Sequence, residues 1–107
     1  MKARSIALCL GLSLVTVCFA ASAWEKLSYK PKEGFVPDER TAIAIAVAVW
    51  TPIYGEKQIA GEKPYVATLK DGIWTVEGSL PKGWTGGVAI AEIAQSDGRI
   101  IAVVHGK

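Results

Sequence analysis

Cysteine is almost absent from this 107-residue chain, and the two that occur, Cys9 and Cys18, both lie in an apolar N-terminal segment. The rest of the chain therefore offers no catalytic thiol, no cysteine ligand for a metal and no disulfide. Histidine occurs once, as His105. No spacing of His, Asp and Glu resembles a metal site, and no serine stands near a histidine or within nucleophile-elbow glycines. We expect no catalytic residue, no metal site and no cofactor.

The N-terminal segment has the three parts of a secretory signal peptide. Lys2 and Arg4 form a positively charged start, residues 6–19 form an apolar run, and residues 21–23 form a small-x-small cleavage site. The alternative, an uncleaved membrane anchor, would need about 20 apolar residues to span a bilayer. We expect residues 1–23 to be a signal peptide that is cleaved after Ala23. The mature protein would then be exported to the periplasm without attachment to the membrane.

Without the predicted signal peptide, the chain has no formal net charge. The remaining 84 residues carry 10 basic and 10 acidic side chains, so the basic character of the whole chain belongs largely to the signal. No basic stripe suited to nucleic acid is present. A chain of this length forms one small domain, which we place at 38–107. We predict that residues 24–37 form an extended lead-in, with Trp24, Leu27 and Phe35 available to pack against the domain.

The stretch ERTAIAIAVAVWTPIYG, residues 39–55, alternates alanine with β-branched residues, as a strand would. A helical wheel nevertheless collects its bulky side chains on one broad face, centred on Ile43, Val47, Trp50 and Tyr54 and extended by the residues Ile45, Ala46, Val49 and Ile53. Asp38 can cap the first turn, and Gly55 can end the helix after Pro52. We predict a helix over about 38–54, with a buried strand as the alternative, and one further helical turn in EKQIAGEKP.

Two hairpins follow, each centred on an Asp-Gly pair. In YVATLKDGIWTVEGSL the Asp71-Gly72 turn pairs Leu69 with Trp74 and Ala67 with Val76, which gathers the apolar residues on one face. The second hairpin, 88–105, turns at Asp97-Gly98, and its register is ambiguous. A three-residue loop would pair Ala91 with Val103, and Ile93 with Ile101. Its outer surface would then be unusually apolar, because Val88, Ile90, Ile100 and Val104 share it with Glu92.

The LPKGWTGG loop, residues 80–87, surrounds Trp84 with three glycines and Lys82. An exposed tryptophan on a loop is typical of a binding anchor, whereas a buried one would plug the open end of the sheet. We leave both interpretations open. The binding residues that we predict come from this loop and from the outer surface of the last hairpin: Lys82, Trp84, Val88, Ile90, Ile100 and Val104.

These elements predict an α+β fold in which one main helix packs on a curved four-stranded antiparallel sheet. Several short segments, in order, also resemble the NTF2-fold immunity proteins of bacterial polymorphic toxin systems. They cover residues 34–107 and are Val36-Pro37-Asp38-Glu39 with Thr41-Ala42, Pro52-Ile53-Tyr54-Gly55, Lys63-Pro64, the Trp74 strand, Leu80-Pro81, Gly86-Gly87, and Asp97-Gly98 with His105-Gly106-Lys107.

The resemblance implies a helix cradled by a curved sheet and a non-enzymatic role, which is to bind a cognate toxin domain and block it. Because the chain carries an export signal, that toxin should act in the periplasm or pass through it. We expect either the lead-in or a partner to cover the apolar outer surface of the last hairpin, and a homodimer also stays open. Two other functions stay open: a cystatin-like inhibitor or binding module of the cell envelope, with the glycine-tryptophan loop as a wedge, and a small NTF2-like pocket enzyme, for which this chain is short.

Overall fold

The structure, a computed structural model, describes residues 23–106, which fall into two compact units that divide between Lys30 and Pro31. In the first unit residues 23–27 are helical, and Trp24 and Leu27 are exposed. The start of the predicted extended lead-in, residues 24–27, is therefore helical instead. The stretch holds no proline or glycine to oppose a helical turn. The predicted signal peptide, apart from its last residue, lies outside the described residues.

The second unit contains two helices followed by four strands, which confirms the α+β fold class. The helices are α1 (Glu39–Tyr54) and α2 (Glu56–Ala60), and the strands are β1 (Val66–Lys70), β2 (Ile73–Glu77), β3 (Ala89–Ala94) and β4 (Ile100–His105). The strands form one antiparallel sheet in the order β1-β2-β3-β4, so β1 and β4 are its edges. Helix α1 packs against β1, β2 and β3.

Helix α1 begins and ends where the sequence predicts. The Asp38 carboxylate accepts a hydrogen bond from the Thr41 backbone N–H at 2.8 Å, which satisfies one of the free donors of the first turn. Gly55 ends the helix with φ at 97°, a conformation that side chains disfavour. Pro52 lies in the last turn, where its missing N–H costs only one helical hydrogen bond. Helix α2 is the further turn expected in the polar connection.

The buried face of α1 is narrower than the predicted one. Its fully buried residues are Ala42, Ala46 and Trp50, spaced one turn apart, whereas the β-branched residues beside them are half-buried and Ile53 is exposed. The prediction centred the face on the bulkiest side chains and omitted Ala42. Two alanines instead face the sheet because small residues allow the closest approach of helix and strands. The bulky neighbours fill the flanks.

The first hairpin has the predicted register, with Leu69 opposite Trp74 and Ala67 opposite Val76. Asp71 and Gly72 both have positive φ, at 51° and 75°, which is the geometry of a two-residue type I′ turn. The conformation of the turn and the burial of Trp74 and Val76 therefore favour the same register. Leu69 remains exposed because β1 is an edge strand.

The second hairpin differs from its predicted register at the loop end. Ala91 pairs with Val103 as expected, but Ile93 stands opposite Ile100 instead of Ile101. The Ala94 N–H donates to the Arg99 carbonyl, so the loop holds four residues, 95–98, rather than three. A bulge absorbs the extra residue and restores the alternation of side chains further along β4.

Residues just before α1 fasten the helix to this end of the sheet. The backbone N–H groups of Phe35 and Val36 donate to the carbonyls of Ser96 and Gln95, both at 3.0 Å. The Trp74 indole N–H donates to the Val36 carbonyl at 2.8 Å inside the core. The start of α1 is therefore held against the second hairpin loop, and its C-terminal end extends toward the opposite end of the sheet.

Candidate functional site

Within residues 31–106, one face of the sheet packs against α1 and the other points away from it. Buried residues such as Trp74, Val76, Ala91 and Ile93 point toward α1, and because side chains alternate along a strand, their neighbours point away from it. We call this second side the outer face. The pairing register assigns to it Val66, Thr68, Lys70, Ile73, Thr75, Glu77, Ile90, Glu92, Ala102 and Val104.

Two cross-strand rows give the outer face its chemical character. The first row runs through Val66, Glu77, Ile90 and Val104. The second runs through Thr68, Thr75, Glu92 and Ala102. Glu77 and Glu92 are diagonal neighbours, about 7–8 Å apart at this spacing, and within residues 23–106 neither makes an ion pair. Two unpaired carboxylates thus lie between exposed valines at the sheet edges.

The structure brings together three of the predicted binding residues. Ile90 and Val104 stand directly opposite each other on the outer face. Val88 accepts a hydrogen bond from the Gly106 N–H at 3.1 Å and has the same parity as Ile90. Ile100 does not join them, because the bulge places it opposite the inward-facing Ile93. Its predicted position on the outer surface is therefore wrong.

Trp84 projects from the 80–87 loop and is 70% exposed, which excludes the interpretation that it plugs the end of the sheet. The chain reverses over 81–84, where the Trp84 N–H donates to the Pro81 carbonyl at 3.0 Å and Gly83 has φ at 85°. The turn presents the indole to one side of a cleft of about 310 Å³. Lys82 is exposed on the turn and does not line the cleft. The lining residues are Lys57, Gln58, Gly61, Glu62, Ser79, Leu80, Pro81 and Trp84.

Glu62 lies at the inner side of this cleft and is almost fully buried, with 4% of its surface exposed. One carboxylate oxygen accepts from the Ala89 N–H at 2.7 Å. The other accepts from the Gln58 side chain and contacts His105 Nε2, both at 3.0 Å. The carboxylate therefore connects α2 with the start of β3 and the end of β4.

His105 is held at both ring nitrogens. Its Nε2 faces Glu62 and its Nδ1 lies 2.8 Å from the Gly106 carbonyl. The centroid of its ring lies 5.0 Å from that of Tyr54, with the two ring planes tilted by 58°. The hydrogen bonds to Glu62 and Gly106 raise the pKa of His105 against the opposing effect of burial. Two acceptors favour the doubly protonated imidazolium, which has no lone pair left to act as a base. The Glu62–His105 pair is thus suited to holding the structure together.

Burial raises the pKa of the Glu62 carboxyl, but the hydrogen bonds from Ala89, Gln58 and His105 outweigh it, so that the pKa falls below its ordinary value of 4.5. A lowered carboxyl pKa contributes stability above the unfolded value, and that stability is lost as the pH falls through the folded value. The raised pKa of His105 contributes stability below its ordinary 6.5, and that stability is lost as the pH rises through the folded value.

We therefore expect the free energy of unfolding to be greater between pH 4.5 and 6.5 than at a pH above the raised pKa of His105. Urea unfolding across a pH series measures this difference. A His105→Gln variant is the control, because it lacks the titrating group and should lose the decline above neutral pH. The same decline in the variant would assign the effect to another residue.

Glu62 and the proximity of Glu77 to Glu92 are features that the sequence-based predictions did not include. The two-residue period of the strands already put Glu77 and Glu92 on the outward side, so their proximity required only the pairing of β2 with β3. For Glu62 no local signal exists, since its partner His105 is 43 residues further along the chain.

Residues 23–106 meet neither the requirements of a metal site nor those of a membrane-spanning helix. No group of three or more His, Asp and Glu side chains in this range lies close enough to hold a metal ion. None of the helices in the same range combines the length and the apolar character needed to cross a membrane. The candidate site of the second unit consists of two surface features, the outer face and the cleft beside Trp84.

Comparison with known proteins identifies relatives among bacterial proteins. The chain is 37% identical over 73 residues to the uncharacterized protein YhhH of Escherichia coli strain K12, and 38% identical over 73 residues to the uncharacterized protein YbbC of the same strain. Each match covers 67% of this chain and 58% or 60% of the relative, so the chain spans about three-fifths of the curated relatives' length. No solved structure matches it.

A family model described as an NTF2 fold immunity protein matches residues 41–107. This range contains most of α1, all of α2 and the whole sheet, together with both surface features described above. The chain belongs to the NTF2 fold immunity protein family.

Proposed function

We propose that this protein neutralises a cognate bacterial toxin by direct protein-protein binding, without enzymatic activity of its own. The observation that carries the proposal is the family match over both surface features. His105, the one histidine of the chain, has both nitrogens engaged, which supports a role other than catalysis.

The toxin contact combines the outer face with the exposed Trp84. A partially apolar sheet face that holds two unpaired carboxylates suits a partner surface with apolar side chains around one or two basic residues. Trp84 supplies a large aromatic anchor beside a cleft, which is a common form of binding hot spot. The half-exposed Glu92 and the exposed Glu77 would then give selectivity for a basic partner surface. Trp84 would contribute to the affinity.

We also propose that the protein acts after export, with residues 1–23 removed, against a toxin that acts in or passes through the periplasm. The signal-like sequence of these residues supports this location. Fractionation of cells that express the full chain with a C-terminal tag tests it. Recovery of uncleaved protein in the cytoplasm would contradict the export proposal and leave toxin binding open.

Neutralisation is tested by co-expression with secreted toxins encoded beside the gene, followed by measurement of cell survival and of binding by calorimetry. We expect protection by the wild-type chain. Failure against every adjacent nuclease, peptidase and pore-forming toxin would overturn the proposed function.

Replacing Trp84 by alanine should weaken toxin binding by about 2 kcal/mol or more, the loss typical of a truncated aromatic anchor. Trp24→Ala is the matched control, because Trp24 is equally exposed, at 75% against 70%, but lies outside the matched range. Glu77→Lys should also weaken binding, whereas Glu56→Lys, an equal charge change on exposed α2, should not. Equal effects of the paired variants would remove these surfaces from the toxin contact.

A further inference from the structure

Among residues 23–106, strand β4 leaves one side of its backbone open. It lies at the edge of the sheet, and in this range it pairs with β3 alone. Its six residues, IIAVVH, include no lysine, arginine, aspartate, glutamate or proline. Proteins usually protect such edges with these residues, because an open edge pairs readily with another strand. The opposite edge, β1, does carry this protection: it ends in Lys70 and follows Pro64 closely.

The register shows which backbone groups are open. The Gly106 N–H donates to the Val88 carbonyl, so the pair of these two residues is a hydrogen-bonded one. Because such pairs alternate in an antiparallel ladder, Val104 also bonds to β3, whereas Val103 and His105 direct their N–H and C=O groups away from it. Within residues 23–106 these four groups have no backbone partner.

We propose that β4 is a self-association edge, at which two copies of this chain join their sheets through antiparallel β4 strands. A two-fold axis beside Val103 or Val104 lets the open N–H and C=O groups of each copy bond to those of the other. The seam meets no like-charge repulsion, since the only ionisable side chain in β4, His105, is neutralised by Glu62. On the outer face, Ala102 and the exposed Val104 of both copies would come together across the seam.

The carboxylates of the outer face oppose a different two-fold dimer, one in which the outer faces of two copies meet. Two outer faces packed against each other would bring four carboxylates, Glu77 and Glu92 of both copies, into a desolvated interface without a counter-charge. Pairing at the edge instead leaves both outer faces free and side by side. The occupant of the β4 edge is thus a second copy, and the outer face stays open to a different partner.

Disulfide trapping tests the seam directly. In the full chain with Cys9 and Cys18 replaced by serine, the double variant Ala102→Cys/Val104→Cys places a thiol opposite its counterpart for a two-fold axis at either position. Oxidation should yield a covalent dimer. The matched control is Val66→Cys/Thr68→Cys, which has the same spacing on the same face at the opposite edge, and should remain monomeric.

Light scattering after gel filtration provides the second measurement. The mass of the uncrosslinked chain should rise from one to two copies with concentration. Val103→Pro removes an edge donor without touching the β3–β4 ladder and should raise the dissociation constant at least about tenfold, as expected for the loss of one or two net hydrogen bonds. Ile101→Lys, at an exposed edge position, should do the same if the proline variant fails to fold.

A chain that stays monomeric at every soluble concentration would overturn the proposal. So would equal trapping by the two cysteine pairs, because dimers would then form without preference for β4. Neither result bears on toxin binding, since both measurements use the purified chain alone.

Discussion

Replacing Glu62 by alanine should lower the free energy of unfolding by about 3–5 kcal/mol, the cost of breaking a buried ion pair by removing one partner. The variant leaves the buried Ala89 N–H without its acceptor and His105 without its counter-charge. A domain of this size is stable by only about 5–15 kcal/mol. The variant should therefore lose a large fraction of its stability and unfold at a lower urea concentration than the wild-type chain, which equilibrium unfolding measures.

Glu62→Gln separates the hydrogen bond from the charge. The amide oxygen can still accept from Ala89, so we expect a smaller loss, about 1–3 kcal/mol. The amide nitrogen can donate to His105 only when the ring is neutral. The stability of this variant should consequently increase as the pH rises through the pKa of His105, opposite to the wild-type trend.

Gln58→Ala is the control for both variants, because it removes one exposed partner of the same carboxylate and leaves the buried contacts in place. It should cost less than about 1 kcal/mol. If Glu62→Ala were no more destabilising than Gln58→Ala, the buried carboxylate would not stabilise the end of the sheet, and this account of it would be wrong.

Gly87→Ala is the second substitution that we expect to destabilise the fold strongly. A Cβ at position 87 would overlap the backbone of Gly106, which cannot rotate away as a side chain would. To admit it, the start of β3 and the end of β4 must separate, which breaks the hydrogen bond from Gly106 to Val88. Overpacking of this kind costs about 1–3 kcal/mol, and displacement of the neighbouring His105 should add to the loss.

Gly61→Ala is the matched control in the same part of the fold. Gly61 has φ at −72°, and a Cβ there would lie 3.5 Å from its nearest neighbours. Alanine at this position should be neutral or stabilise the fold by about 0.4–1 kcal/mol. Thermal unfolding of both variants measures the contrast. Combined with Glu62→Gln, Gly87→Ala should cost less than the sum of the single losses, because both disturb one contact.

Local chemistry made α1 and the first hairpin predictable. The Asp38 cap, the closing Gly55 and the Asp71-Gly72 turn each act within a few residues, and the apolar pattern agrees with all of them. The second hairpin register was not predictable in the same way. Its four-residue loop accepts hydrogen bonds from Phe35 and Val36, which are about 60 residues earlier in the sequence.

The same distinction between local and long-range interactions applies to the candidate site. The alternation of the strands predicted that Val88, Ile90 and Val104 share a face. For Val104 the prediction holds because the bulge restores the predicted register beyond the four-residue loop. The burial of Glu62 and the open backbone groups of β4 depend on which strands become neighbours and which become edges. Those facts arise only when distant segments meet, so no single segment of the sequence contains them.

The four tryptophans form two pairs whose fluorescence should differ in emission wavelength. Trp50 and Trp74 are buried and would emit at shorter wavelength, whereas Trp24 and Trp84 are largely exposed and accessible to aqueous quenchers. Opening of the core would move the first pair to the red. A partner that covers the 80–87 loop would move only Trp84 to the blue. Folding and binding can therefore be followed separately in one emission spectrum, without a dye.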